Sequence, residues 1–267
     1  MRVVAPVLGP VLTADLRVLI GGGALWVYFK VTGFDLQWRR HWKQFLVVGL
    51  SNAAIPFLMY AFAARHIPAS YSAILNSAAP MFGAIFSAIW LNDRLTMSRI
   101  TGLVIGFIGV TLVANVKPTE VDSYFVVAIV ACLIATVCYG FNAAYVKRFA
   151  QKTPPRAIAC ASQLVGALIL LPIVPLGGTP GPISMIVILN LLGLALICSA
   201  VAFLMYYRLI ANIGATKALT VAFLMPAFGM FWGALFLGEK ITLPMIAGTL
   251  LILLGTGLVL KVFRRTA

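Results

Sequence analysis

Long apolar runs dominate the chain, and short polar or glycine- and proline-rich segments separate them. Each run is about 20 residues long, which is what an α-helix needs to cross about 30 Å of hydrocarbon. The pattern therefore predicts an all-α polytopic membrane protein with about nine transmembrane helices. We expect these helices at about 11–29, 43–64, 70–91, 98–116, 124–147, 156–176, 184–207, 216–237 and 244–262.

Composition supports a chain embedded in lipid. Hydrophobic residues make up 62% of the 267 residues and charged residues only 10%, whereas a soluble domain carries about 25% charged residues. The net charge of +14 comes from short basic groups between the apolar runs. No basic face is interleaved with stacking aromatic residues, so we expect the lipid bilayer as partner and no nucleic acid. The oligomeric state is not predicted.

The cysteines and histidines suggest no metal or catalytic chemistry. The four cysteines lie inside apolar runs without CxxC spacing, and we interpret them as small buried hydrophobic residues. They are Cys132, Cys138, Cys160 and Cys198. The two histidines, His41 and His66, lie near the ends of predicted helices. We predict no cofactor, no metal site and no enzymatic activity.

Lysine and arginine positions predict the orientation in the membrane. Fifteen of the 20 basic residues fall on alternate connections: Lys30, Arg39, Arg40, Lys43, Arg94, Arg99, Lys147, Arg148, Lys152, Arg156, Arg208, Lys217, Lys261, Arg264 and Arg265. The other connections and the N-terminus hold Arg2, Arg65, Lys117 and Lys240, and Arg17 lies within a predicted helix. Because cytoplasmic connections carry the excess of positive charge, we expect a cytoplasmic C-terminus in a bacterial inner membrane.

The chain contains an internal repeat with a constant offset of 146 positions. The stretch LNSAAPMFGAIFSAIWLNDRLT at 75–96 aligns with VAFLMPAFGMFWGALFLGEKIT at 221–242, and FLMY occurs at both 57–60 and 203–206. On the predicted orientation the two copies cross the membrane in opposite directions. The sequence therefore predicts two inverted repeats, 1–117 with four helices and 118–267 with five.

One predicted helix has no partner in this repeat. The helix at 124–147, shifted back by 146 positions, would fall before Met1. We therefore expect a ten-helix inverted-repeat fold whose first helix is missing from this chain, through truncation or a misplaced start. The alternative is a genuine nine-helix protein.

These motifs resemble the EamA family of the drug/metabolite transporter superfamily. The resemblance rests on Pro80 with AIFSAIWLNDRLT, Pro226 with ALFLGEKIT, YGFNAAYVKRFA at 139–150, and ASQL at 161–164. It covers nearly the whole chain. It implies an exporter of amino acids and other metabolites, with a central cavity and alternating access.

Polar residues inside apolar helices are costly unless they face protein or water, so they are candidates for a substrate cavity. The candidates are Asn52, Asn76, Ser77, Tyr139, Asn142, Gln163, Asn190, Ser199 and Trp232. For each polar side chain an interhelical hydrogen bond is the alternative, and for Trp232 the alternative is an anchor at the membrane interface. Asn76 and Ser77 could also satisfy carbonyls freed by the following proline.

Arg17 is a further candidate for the substrate cavity. It aligns with Gln163 across the repeat, and its guanidinium could bind a substrate carboxylate through two hydrogen bonds. The alternative is a structural or snorkelling role near the end of the helix. Asp93 and Glu239 lie at predicted helix ends, and Glu120 and Asp122 lie in a loop. No carboxylate is therefore expected in the middle of the membrane, and proton or other ion coupling stays open.

Prolines and glycines mark equivalent places in the two repeats. Pro80 and Pro226 fall inside predicted helices, where a missing N–H group kinks the helix, so we expect hinges or cavity-lining kinks there. The glycines predict close helix packing, with a sliding surface as the alternative. They are Gly102, Gly106, Gly109, Gly248 and Gly255.

The predicted function is that of a secondary transporter. We expect it to export a small-molecule substrate, such as an amino acid or a related metabolite, by alternating access in a cavity between two inverted repeats. A drug or lipid flippase of the same superfamily is the alternative. A membrane enzyme would need clustered acids, histidines or a nucleophile, and the sequence offers none.

Overall fold

The computed structural model describes residues 1–91, 96–114, 123–213, 221 and 224–260, and in these ranges it is helical and without strands. After a short helix, Ala5–Leu8, the helices are α1 (Pro10–Val31), α2 (Trp38–His66), α3 (Ala69–Leu91), α4 (Met97–Ala114), α5 (Ser123–Phe149), α6 (Pro155–Gly177), α7 (Met185–Leu209), α8 (Leu224–Leu237) and α9 (Leu243–Val259). Within the described ranges, all but α4, α8 and α9 are long and apolar enough to cross a membrane, and those three are shorter apolar helices. The predicted all-α polytopic membrane fold is confirmed.

The helix positions follow the hydrophobic pattern closely, because each apolar run must satisfy its backbone hydrogen bonds within itself in lipid. Of the predicted helix at about 216–237, the described part is α8, which begins at Leu224. Residues 214–220 and 222–223 lie outside the described residues. So do several residues on which the sequence predictions drew: Asp93, Arg94, Lys117, Glu120, Asp122, Lys217, Lys261, Arg264 and Arg265.

Packing divides the chain into two compact units, and neither unit is one half of the sequence. The first unit combines Met1–Arg65 with Tyr145–Ala218, and the second combines His66–Ala144 with Leu219–Ala267. Each unit therefore contains helices from both predicted repeats: α1 and α2 with α6 and α7 in the first, and α3 and α4 with α8 and α9 in the second. The division of the sequence into repeats 1–117 and 118–267 stays a prediction.

Helix α6 is central to the first unit. It contacts α1, α2 and α7, and nearly all of its residues from Ala157 to Ala167 are buried. Small side chains permit this close approach: a Cβ at Gly166 would lie 2.8 Å from Ala53 Cβ, and one at Gly49 would lie 2.7 Å from Val165 Cβ. In lipid, no hydrophobic effect drives helices together. Van der Waals packing holds them instead, and small residues allow the close approach that this packing needs.

The second unit contains a glycine-lined crossing of α4 and α9. A Cβ at Gly102 would lie 2.6 Å from the carbonyl oxygen of Gly255, and one at Gly109 would lie 2.7 Å from that of Gly248. This order of pairs means that the two helices are antiparallel. Gly248 and Gly255 are the repeat equivalents of Gly102 and Gly109, respectively. Gly102 therefore meets the equivalent of Gly109, and Gly109 meets the equivalent of Gly102. Such reciprocal pairing is the signature of a local two-fold relation.

A carboxylate from the C-terminal side of α8 caps the start of α3, also within the second unit. Glu239 Oε1 accepts a hydrogen bond from the Ala69 N–H (2.6 Å), and Oε2 accepts from the Ser70 N–H (3.0 Å) and hydroxyl (2.7 Å). The preceding residue, Pro68, has no side-chain oxygen with which to cap the helix. Glu239 therefore satisfies two of the N–H groups that every helix start leaves unpaired.

Candidate substrate site

Arg17 is held at a junction of three helices of the first unit. From α1 its Nε donates to Ser199 Oγ on α7 (2.7 Å), and Nη2 donates to the carbonyl oxygen of Cys198 (3.2 Å). Its guanidinium carbon lies 4.0 Å from the ring centroid of Phe57 on α2. These contacts fix the plane of the guanidinium in a half-buried position, as a directional anion-binding group requires.

Phe57 also contacts the residue that aligns with it at the offset of 146 positions. Its ring lies edge-to-face on Phe203, with 6.1 Å between centroids. These residues open the two FLMY segments and are repeat equivalents. A residue that contacts its own equivalent lies close to the local two-fold axis that would relate the two copies. Because Arg17 contacts Phe57, it lies beside this local axis. Transporters built from inverted repeats bind substrate at the interface between the repeats.

Helices α2 and α7 both contain a π-helical turn, at Leu50–Ala54 and at Gly193–Val201. The repeat offset places the first turn inside the second. Asn52 lies in the first turn and donates through Nδ2 to the Tyr207 hydroxyl oxygen (3.2 Å). Ser199 lies in the second turn, is fully buried, and donates to the carbonyl oxygen of Leu194 (3.0 Å). Single π turns are frequent at functional sites. The second of these two turns supplies Ser199 and Cys198, the hydrogen-bond partners of Arg17.

Gln163 on α6 is fully buried against α1. Its Nε2 donates to the carbonyl oxygen of Ala159 in its own helix (3.2 Å), while Oε1 has no hydrogen-bond partner in the described part of the chain. A Cβ at Gly21 would lie 2.6 Å from this oxygen. Gln163 therefore packs in the contact between α1 and α6 and leaves one buried acceptor for a ligand or water. Its role in substrate binding stays a prediction.

Asp15 differs from the sequence expectation, because the structure buries a carboxylate inside α1. Its side chain is 2% exposed. Its Oδ1 has no hydrogen-bond partner among the described residues. In the sequence Asp15 lies two residues before Arg17 inside the predicted helix at about 11–29, on a different helix face, so no direct pair with Arg17 is expected. Its burial was not predicted. A buried ionisable residue in a membrane helix is by default a candidate for function.

The second unit contains the predicted kink at Pro80. Helix α3 is interrupted at residues 77 and 78, between Asn76 and Ala79, and Pro80 is the second residue after the interruption. Here the Ala78 N–H bonds to the carbonyl oxygen of Leu75 (3.1 Å), and the Ser77 hydroxyl donates to the carbonyl oxygen of Ile74 (2.6 Å). Ser77 thus pairs with the Ile74 carbonyl at the interruption, whereas the carbonyl that Pro80 cannot pair is that of Asn76. Both roles predicted for Ser77 stay predictions. Pro226 lies in the first turn of α8.

The remaining candidates are spread over both units. Asn76 donates to the sulfur of Met225 (3.3 Å), and Asn142 on α5 is buried with Oδ1 unpartnered among the described residues. Tyr139 lies one turn before Asn142 and is half-buried. The other two are exposed: Asn190 donates to the Ile186 carbonyl of its own helix (2.9 Å), and the Trp232 ring stacks on Phe236. Their roles in substrate binding stay predictions.

In this all-helical membrane protein, Arg17 lies beside the contact between α2 and α7, whose FLMY segments are equivalent in the repeat. Such an arrangement is typical of a secondary transporter. The EamA-like transporter family model matches residues 1–115 and 126–261, and the chain belongs to this family. The family consists of transporters of the drug/metabolite transporter superfamily, and not of enzymes.

Curated proteins and solved structures agree with this assignment. The chain is 26% identical over 259 residues to an uncharacterized transporter of Archaeoglobus fulgidus, covering 95% of this chain and 90% of that protein. It is 26% identical over 207 residues to a probable terminal-alkyne amino-acid exporter of Streptantibioticus cattleyicolor, covering 75% and 66%. A crystal structure with 18% identity superposes with a TM-score of 0.68 over 96% of this chain and 89% of its own, which shows a shared fold.

Proposed function

We propose that this transporter exports small zwitterionic metabolites, such as amino acids, and that Arg17 binds the substrate carboxylate. The observation that carries the proposal is the fixed guanidinium of Arg17, oriented by Ser199 and by the face of Phe57. A planar guanidinium offers a carboxylate two parallel hydrogen bonds. The similarity to an amino-acid exporter supports the same substrate class.

Transport by alternating access is part of this proposal. The local two-fold relations at Phe57 with Phe203, and at the α4–α9 crossing, support a chain built from inverted repeats. Such repeats exchange conformations when one opens and the other closes, which exposes a site to each side in turn. On the charge distribution of the connections, the C-terminus is cytoplasmic and the membrane is the bacterial inner membrane.

Asp15 is the residue that we assign to ion coupling. It is a buried carboxylate on the helix that carries Arg17, and its Oδ1 is available among the described residues to bind a proton or another cation. Replacing it with asparagine keeps the shape and removes the charge. We expect Asp15→Asn to abolish the dependence of export on an imposed ion gradient while substrate binding persists. An unchanged dependence on the gradient would exclude Asp15 from coupling.

Export from inverted membrane vesicles, with a panel of labelled amino acids, amines and neutral metabolites, tests the substrate class. We expect Arg17→Gln to reduce transport of carboxylate-bearing substrates at least about tenfold, the loss of a charge-assisted hydrogen-bonded pair, and to spare amines. Arg2→Gln is the matched control, because Arg2 donates to the carbonyl oxygen of Ala64 in the same unit.

The result that contradicts the proposal is an equal loss for every substrate, with a matching loss of folded protein. That outcome would give Arg17 a structural role. Transport of apolar drugs or lipids in place of amino acids would favour the flippase alternative.

A further inference from the structure

A cavity lies at the far end of α1, away from Arg17. Its volume is about 490 Å³, and all its lining residues belong to the first unit. Its walls include Trp26, Phe29, Lys30, Phe34, Asp35 and Trp38. Lys30 is thirteen residues beyond Arg17 in the same helix, a distance of roughly 20 Å at 1.5 Å per residue. The cavity is therefore separate from the proposed carboxylate site.

The cavity carries one positive and one negative side chain on an aromatic wall. The ammonium of Lys30 lies 5.6 Å from the ring centroid of Trp26. The carboxylate of Asp35 is oriented by its own loop, because its Oδ1 accepts a hydrogen bond from the Gln37 N–H (2.9 Å). A cation and an anion at the two sides of an aromatic cavity match a ligand that has both charges.

The loop that forms the cavity has an unusual backbone. Gln37 adopts a left-handed conformation with φ of 52°, and Gly33 has φ of 69°. A residue other than glycine is uncommon in this region, and such local strain is concentrated at ligand sites and switches. The two positive φ angles turn the chain twice within five residues and place Asp35 on the cavity wall.

The surroundings of the cavity favour a lipid as its ligand. Trp26 and Trp38 are both more than a third exposed, and Val31 is 82% exposed at the end of the apolar helix. Exposed tryptophans at the end of a membrane helix mark the level of the lipid headgroups. Arg39, Arg40 and Lys43 follow in the first two turns of α2, so the cavity opens where a headgroup phosphate lies.

We propose that this cavity binds the headgroup of phosphatidylethanolamine. Lys30 contacts the phosphate, Asp35 accepts hydrogen bonds from the ethanolammonium, and the rings of Trp26 and Trp38 shield the ammonium through cation–π contact. An anionic headgroup whose only charge is the phosphate, such as that of phosphatidylglycerol, would offer Asp35 no cationic partner. Phosphatidylethanolamine is therefore selected over phosphatidylglycerol, whereas the basic residues outside the cavity attract any anionic lipid.

The test is binding of brominated lipids to the purified full chain in detergent micelles, measured by quenching of tryptophan fluorescence. We expect brominated phosphatidylethanolamine to bind about tenfold more tightly than brominated phosphatidylglycerol, the ratio that one charge-assisted hydrogen bond provides. Asp35→Asn should remove this preference. Asparagine retains an Oδ1 acceptor for the Gln37 N–H, so the loop is expected to stay folded.

The chain offers a matched control. Lys43 lies 5.6 Å over the ring of Trp42, the same geometry as Lys30 over Trp26, but does not line the cavity. We expect Lys30→Gln to weaken binding of phosphatidylethanolamine and Lys43→Gln to leave it unchanged. Equal effects of the two variants, or a preference for phosphatidylethanolamine that survives Asp35→Asn, would overturn the proposal. Because neither outcome depends on export, failure of this site leaves the proposed function untouched.

Discussion

Replacing Gly109 with alanine is expected to destabilise the protein by separating α4 from α9. The added Cβ would lie 2.7 Å from the Gly248 carbonyl oxygen and 2.8 Å from the Ile252 nitrogen, whereas ordinary contact begins at 3.4 Å. Both neighbours are backbone atoms and cannot rotate away. The helices must therefore move apart by roughly 0.6 Å, and a gap of that size loses a quarter to a half of the dispersion energy of the contact.

The expected cost is about 1–3 kcal/mol in the free energy of unfolding, the usual penalty for overpacking. Gly23→Ala is the matched control, because no atom lies within 4 Å of a Cβ at that position of α1. There alanine should be neutral or stabilise the helix by up to about 1 kcal/mol. The same substitution should thus have opposite effects at two helical glycines.

Unfolding by sodium dodecyl sulfate titration, followed by circular dichroism, measures both free energies. Gly106→Ala provides an intermediate case, because its Cβ would meet the flexible side chain of Met81 and not a backbone atom. A Gly109→Ala variant as stable as the wild type would refute the close crossing. Export per folded molecule separates packing from sliding: a loss of export larger than the loss of folded protein would favour a sliding surface.

Two further predictions concern the second unit. Glu239→Ala should cost about 1–2 kcal/mol of unfolding free energy, the usual value of a helix cap, because the Ala69 and Ser70 N–H groups lose their acceptors. Glu239→Gln should recover part of this loss in the same titration. A Glu239→Ala variant as stable as the wild type would show that the cap contributes no stability. Pro80→Ala should restore a continuous α3 and slow export more than it reduces the amount of folded protein. Pro226→Ala, at the equivalent position in the first turn of α8, should likewise slow export more than it reduces the amount of folded protein. Normal export by both proline variants would remove the hinge interpretation.

Much of the fold could be read from the sequence because lipid imposes simple rules. A helix that crosses the bilayer needs a fixed apolar length and must satisfy its own hydrogen bonds, so nearly all predicted helices lie where the structure has them. The interruption of α3 was predictable for a similar reason, since Pro80 has no N–H group to donate. The glycines predicted a close crossing because they have no side chain to hold two backbones apart.

The site was predictable only in part. The repeat drew attention to Arg17 through its equivalence with Gln163, but the two residues behave differently: Arg17 contacts α2 and α7, whereas Gln163 fills the contact with α1. The paired π turns, and the face of Phe57 under the guanidinium, had no sequence signal beyond the repeated FLMY. The burial of the Asp15 side chain was not predicted either, although Asp15 lies inside the predicted helix at about 11–29.

The sequence by itself determined that this is a helical membrane protein, where its helices lie, and that a segment of it is repeated, because these properties depend on local hydrophobicity and identity. Only the tertiary structure decided which helices pack together. Arg17 and Ser199 are 182 residues apart and Ser70 and Glu239 are 169 apart, and no local pattern encodes such contacts. They form because a buried polar group is stabilised by a hydrogen-bond partner, and the packing of the apolar helices decides which groups come within reach.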